Sequence, residues 1–162
     1  MESLKDVYIH QLQDLHSANR QALKATRDLS SAATSESLRS ALIRGVQGIK
    51  DGLQNLERLI RKHGATPDGE HCKGMEGLVR EARSHSIKED FAVNAVRDAV
   101  IITQYQRMAH YAIAGYGCAA AFARKLDLAD DAATLSEMLD AAHSGDKTMS
   151  DLAEEEINER AA

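Results

Sequence analysis

Tryptophan is absent, proline occurs once and cysteine twice, and four Tyr and two Phe are the only other large aromatics among 162 residues. Each scarcity removes a class of protein. Sandwiches and barrels draw their strands from aromatic and β-branched residues and their turns from Pro and Gly, so a turn-rich β fold has little to be made from here. Cys72 and Cys118 are too few for the disulfide framework of a small secreted domain, and no apolar targeting segment follows Met1. A reduced, cytoplasmic protein is expected. No hydrophobic run is long enough to cross a bilayer: the longest stretch free of charge, Met108 to Ala123, is broken by His110, Tyr111 and two Gly, so no membrane partner is expected. Positive charge is also short, with 20 Lys and Arg against 25 Asp and Glu, a net charge of −5. That is the wrong sign for neutralising phosphates, and no nucleic-acid partner is expected.

What is present is a helical pattern over a chain of one-domain length, residues 1–162. Leu4, Tyr8, Leu12, Leu15, Ala18, Ala22, Ala25 and Leu29 fall three or four apart and predict a first helix from Ser3 to Ala33. Ser35 then supplies an N-cap, with Glu36 in an acidic first turn, for a second helix. Its stripe of Leu38, Leu42, Ile49, Leu53, Leu56 and Ile60 ends at His63 and Gly64, a basic last turn and a terminating glycine. Residues 65–73 hold the proline and read as an irregular connection. Met75 to Ser84 predicts a short packing helix. A third long pattern starts at Ile87 and runs through Phe91, Ala95, Ala99, Ile102, Ala109, Ile113, Tyr116 and Ala120 to Leu126; a fourth follows Asp127 and extends to Ile157. The short links make two antiparallel hairpins, and the longer 64–86 connection must cross the end or side of the bundle. The expected architecture is therefore all-α: a ferritin-like four-helix bundle with a short extra helix in the crossover between helices two and three.

A di-metal centre in such a bundle takes a carboxylate from each of two helices and a Glu-x-x-His pair from each of the others, because two hard cations need about four to six oxygen and imidazole ligands. No Glu-x-x-His pair occurs in this chain. The nearest arrangements are His143-x-x-Asp146 on helix four, His110 on helix three, and His16 with Asn19 on helix one. Asp146 continues an apolar stripe and so needs a partner, for which a Ser, Tyr or His of a neighbouring helix suffices. His110 and His16 read most simply as hydrogen-bonded helix residues. His63, His71 and Cys72 match no zinc spacing. Cys118 reads as a small buried filler, and Glu154, Glu155 and Glu156 as a solvated last turn. Gly45, Gly48 and Gly52 share one side of helix two, which implies close approach of another helix or of a dimer partner.

The stretches Cys72-Lys-Gly-Met-Glu-Gly-Leu78, His110-Tyr-Ala-Ile-Ala-Gly-Tyr-Gly117 and Asp146-Lys-Thr-Met-Ser-Asp-Leu-Ala153, with the opening Leu4 to Asp14, resemble the signatures of the bacterial YciE/YciF family of ferritin-like proteins. The resemblance runs from about residue 3 to residue 158. It implies a bundle with a short extra helix, commonly dimeric, linked to stress responses and with no established reaction. At the positions where the family carries its metal-binding residues, this chain has Asn19, Gly48 and Gly52, Ala109 and Ala112 flanking His110-Tyr111, and Ala141-Ala142-His143 before Asp146. At least three expected carboxylates are missing. The expectation is a non-enzymatic homodimer of structural or stress-associated role with a degenerate di-metal site, no catalytic residues and no cofactor. The alternative is iron or another divalent metal at an atypical site around His110 and Asp146, with His143 and Asn19. Small residues at the former chamber predict a closed seam, in which a bulky side chain at Gly48 would cost about 1 to 3 kcal/mol.

Overall fold

The computed structural model describes all of residues 1–162. Four long helices carry it: α1 (Leu4–Ala32), α2 (Glu36–Lys62), α4 (Asn94–Lys125) and α5 (Ala129–Leu152), with a shorter α3 (Lys73–Arg83) in the crossover. A terminal turn, α6 (Asn158–Ala161), ends the chain. The termini follow local chemistry. Ser3 caps α1 in a reciprocal box with Asp6, and the Ser35 hydroxyl accepts from the Leu38 amide to start α2. Gly64 ends α2 with φ at +73°, and Asp127 takes the same left-handed region, at +56°, between α4 and α5.

Three-residue turns make α1 and α2 one antiparallel hairpin and α4 and α5 another. α1 packs on α4 and α2 on α5, which closes a ring of four helices. The hairpins lie head to tail. The α1–α2 turn meets the start of α4, where the buried Asp98 carboxylate accepts from the Thr34 and Ser35 amides at 2.8 Å and from the Thr34 hydroxyl at 2.6 Å. The α4–α5 turn lies at the other end of the first hairpin, about 40 Å away for a helix of 27 residues. α2 and α4 therefore run in the same direction on opposite corners, and the crossover must bring the chain back along the bundle. It does so on the outside of α1 and α4, with Met75, Val79 and Ala82 of α3 buried against them.

The third long helix begins later than the apolar pattern predicts. A π-helical turn at Ser84–Lys88 follows α3, residues 89–93 are irregular, and α4 starts at Asn94. The reason is topological: the crossover arrives on the outside and has to turn into the ring, leaving Ile87 and Val93 exposed. The C-terminal acids also differ from the expectation of a purely solvated turn. Ala153–Ile157 form a second π-helical turn in which the Glu156 carboxylate accepts from Ser37 at 2.6 Å and Ser35 at 3.1 Å. Cys118 is exposed and Cys72 buried, the reverse of a filler role for Cys118. No helix is long and apolar enough to cross a membrane.

The interior divides in two. One cluster of buried apolar residues, with Leu29, Leu38, Leu42 and Ile101, lies toward the α1–α2 turn, and a second, with Tyr8, Leu12, Leu56, Leu59 and Leu135, toward the α4–α5 turn. Between them lies the cavity described next.

Candidate functional site

A cavity of about 430 Å³ occupies the middle of the ring. Its inner wall comes from α1, α3 and α4, where Asn19, Ala22, Thr26, Met75, Met108 and Tyr116 are buried. Its outer wall comes from α2 and α5, and the exposed lining residues Arg44, Gly48, Asp51, Glu137, Ala141 and Ser144 all belong to those two helices. The mouth therefore opens between α2 and α5. The positions where carboxylates were sought, Asn19, Gly48, Gly52, Ala109 and Ala112, all line this space.

The glycines of α2 do not make a uniformly closed seam, which corrects the expectation from the sequence. A Cβ at Gly45 would lie 2.6 Å from the Tyr105 hydroxyl, and one at Gly52 would lie 3.0 Å from Asn19 Nδ2 and 3.3 Å from the Tyr116 hydroxyl. At Gly48 a Cβ would meet nothing within 4 Å. The two outer glycines thus receive tyrosines that reach across from α4, while the middle one faces open space. The physical reason lies on α4: phenol rings at Tyr105 and Tyr116 hold α2 away from the Ala109 and Ala112 backbone lying between them.

The polar groups of the inner wall are neutral. Asn19 Nδ2 donates to the Tyr116 hydroxyl at 2.7 Å, and burial pushes the Tyr116 phenol up to about 12, against the opposing pull of the Asn19 bond. Burial, with Asp146 nearby, likewise raises Tyr105. Both hydroxyls keep their protons at neutral pH, and neither donates to a protein acceptor. The Thr26 hydroxyl is wholly buried and has no hydrogen-bond partner at all. Four of the chain's five methionines, Met75, Met108, Met138 and Met149, complete the lining.

The structure joins some of the sequence candidates and separates others. His110 Nε2 lies 3.0 Å from Asp146 Oδ2, and Gln106 Nε2 donates to Asp146 Oδ1 at 3.1 Å, so the inward-leaning Asp146 finds its partners on α4. His110 itself is 62% exposed. His143 is exposed on α5, and Asn19 is committed to Tyr116, so neither joins the His110–Asp146 pair. His16 is buried with Nε2 3.3 Å from Glu57. His71 pairs with Glu76, and Cys72 caps α3 while donating its thiol hydrogen to Tyr111. His63 turns instead to Asp131. Nowhere in the molecule do three or more His, Cys, Asp or Glu side chains come together as a metal-binding group.

Asp131 is the polar centre that sequence reasoning missed. Wholly buried at the start of α5, it accepts from Lys62 Nζ and His63 Nε2 at 2.6 Å and from the Tyr8 hydroxyl at 2.9 Å. Lys5 Nζ bonds His63 Nδ1 at 2.7 Å, which leaves the proton of a neutral ring on Nε2, facing the carboxylate. Burial pushes the Asp131 carboxyl up, and the bonds from Lys62, His63 and Tyr8 outweigh it, leaving it below the usual carboxylate range. In the sequence, Asp130-Asp131 looks like any acidic first turn. Nothing there marks Asp131 as buried.

The matching family model, "Domain of unknown function (DUF892)", covers residues 3–162. The chain belongs to this family. Protein YciF of Escherichia coli (strain K12) is 31% identical over 162 residues, spanning 99% of this chain and 96% of that protein. The crystal structure of the E. coli stress protein YciF superposes with a TM-score of 0.90 at 31% identity, covering 98% of this chain and 99% of that one. YcfI of Rhodopseudomonas palustris, named provisionally as a structural protein, gives 0.86 at 27% identity, covering 93% and 94%.

Proposed function

We propose that this DUF892 chain is a ferritin-like four-helix-bundle protein with a structural or stress-associated role, in which the di-metal centre of a ferritin-like bundle has degenerated. The relatives named as a stress protein and a structural protein support the role. One observation carries the loss of the metal site: the central positions are Asn19, Gly48, Gly52, Ala109 and Ala112, and together they offer a single amide as a ligand. The acids nearest the cavity, Asp51 and Glu137, are exposed at its mouth. Such a lining does not fit two divalent or trivalent ions, whose charge needs several carboxylates to balance it.

The test is elemental analysis of protein purified aerobically from iron-rich medium, with a ferroxidase assay beside it. Iron well below one equivalent per chain and no oxidation of ferrous iron above the buffer rate are expected. Two retained ions per chain would overturn the reading. The His110–Asp146 contact at 3.0 Å supports one alternative, a mononuclear site there; on that reading one bound metal per chain would vanish in both His110→Ala and Asp146→Ala. The proposal includes a cytoplasmic homodimer, supported by two free thiols and by Ile43, 55% exposed on the outer side of α2. Light scattering at about twice the monomer mass of 17.7 kDa is the expected result.

A further inference from the structure

We propose that the central cavity binds an uncharged, planar, largely apolar small molecule carrying hydrogen-bond acceptors. The inference rests on the reading that no metal pair occupies this chamber, and it names what the chamber takes instead.

Size is the first argument. A volume of about 430 Å³ lies within the range of sites that hold small organic ligands, and its middle runs along α2 between Gly45 and Gly52, seven residues or about 10 Å apart. The Tyr105 hydroxyl stands beside the first glycine and the Tyr116 hydroxyl beside the second. That span matches the long axis of a two-ring or three-ring aromatic system.

Chemistry is the second. Thioethers are soft, polarisable and adaptable, and they pack well on aromatic faces. Gathering Met75, Met108, Met138 and Met149 from three helices around one space gives a planar ring several such faces. The charged lining residues, Arg44, Asp51 and Glu137, are exposed at the mouth and none belongs to the inner wall, so a charged group seated against that wall would lose its hydration with no partner there. The polar groups that do reach it have hydrogens to give. Tyr105 and Tyr116, which line the space, have no acceptor for their protons, and Tyr105 makes no side-chain hydrogen bond at all. A buried hydroxyl without a partner costs about 1 to 3 kcal/mol, and a ligand carbonyl or ring nitrogen would remove that cost. Access is provided between α2 and α5, where the absence of a side chain at Gly48 leaves the mouth open.

The probe is 6-propionyl-2-dimethylaminonaphthalene, a neutral two-ring fluorophore with one carbonyl, titrated into the full-length protein; anilinonaphthalene sulfonate, an anionic dye on the same naphthalene core, serves as the charged control. The expected result is saturable binding of the neutral dye at one per chain, with affinity at least tenfold above that of the sulfonate. Gly48→Leu fills the mouth where nothing stands within 4 Å, and should weaken binding tenfold or more without lowering the melting temperature. Tyr105→Phe keeps the shape, removes the hydroxyl and should weaken binding about fivefold. Non-saturable binding, equal affinity for the sulfonate, or affinities unchanged in both variants would overturn the proposal. So would dissociation of a dimer by Gly48→Leu, because the cavity would then be filled by a second copy. Metal content measured on the same samples separates the two failures. Bound iron pairs would defeat the functional reading, whereas metal-free protein that ignores the dye would defeat only this inference.

Discussion

Replacing the three glycines of α2 one at a time with alanine gives a series whose signs follow from the cavity. Gly48 sits in a helix interior, exposed, with open space where a Cβ would go. Alanine there gains about 0.5 to 1 kcal/mol in helix propensity and meets no atom, so Gly48→Ala should stabilise by that amount. At about 2 to 4 °C per kcal/mol for a chain of this size, the melting temperature should rise by about 1 to 4 °C. Gly45→Ala gains the same propensity but places a methyl 2.6 Å from the Tyr105 hydroxyl, so the phenol must move. Overpacking of that kind costs about 1 to 3 kcal/mol, which leaves a net loss of about 0 to 2.5 kcal/mol. Gly52→Ala, with contacts of 3.0 and 3.3 Å to the Asn19–Tyr116 pair, should fall between the other two. Urea unfolding followed by far-ultraviolet circular dichroism measures all three. A loss of 1 kcal/mol or more for Gly48→Ala would refute the reasoning, since it would mean that α2 and its neighbours close over that position.

Four further outcomes follow from the polar ties. Asp131→Ala should destabilise by about 3 to 5 kcal/mol in urea titrations, because it strands Lys62 and the buried ends of His63 and Tyr8. The Asp131 carboxyl titrates lower in the folded than in the unfolded chain, so its stabilisation is complete above the unfolded value near pH ~4 and drains away as pH falls through the folded value. Melting temperatures taken across that window should drop less steeply in Asp131→Asn than in the parent protein. Asp98→Ala leaves the Thr34 and Ser35 amides without their acceptor and should cost about 1 to 3 kcal/mol, read by the same denaturation assay. Alkylation by iodoacetamide at neutral pH, followed by mass spectrometry, should mark exposed Cys118 long before Cys72, whose thiol is buried and pushed up by that burial.

The helices were readable because their information is local. Ser3, Ser35 and Gly64 mark termini through bonds made within one turn, and the Leu and Ala stripes fix which side faces inward. The start of α4 was not readable, since Ile87 and Phe91 continue an apolar spacing that the crossover interrupts for reasons of topology. At the site, the neutral residues Asn19, Ala109 and Ala112 were plain in the sequence, but their consequence was not. Whether small residues let helices collapse or leave a void depends on what stands beside them, and here Tyr105 and Tyr116 act as props from across the ring. Asp131 and Asp98 were hidden for a related reason. Their partners lie more than 60 residues away, and burial of an acid leaves no trace in its neighbours along the chain.

The placement of these two carboxylates bears on how such a molecule can diversify. Asp98 fastens the hairpins at one tip and Asp131 at the other, each beside its own apolar cluster. Cohesion is thus delegated to the extremities, and the waist carries little of the mechanical burden. A lineage can vary the side chains there, and so the shape of the interior, while the scaffold stays upright.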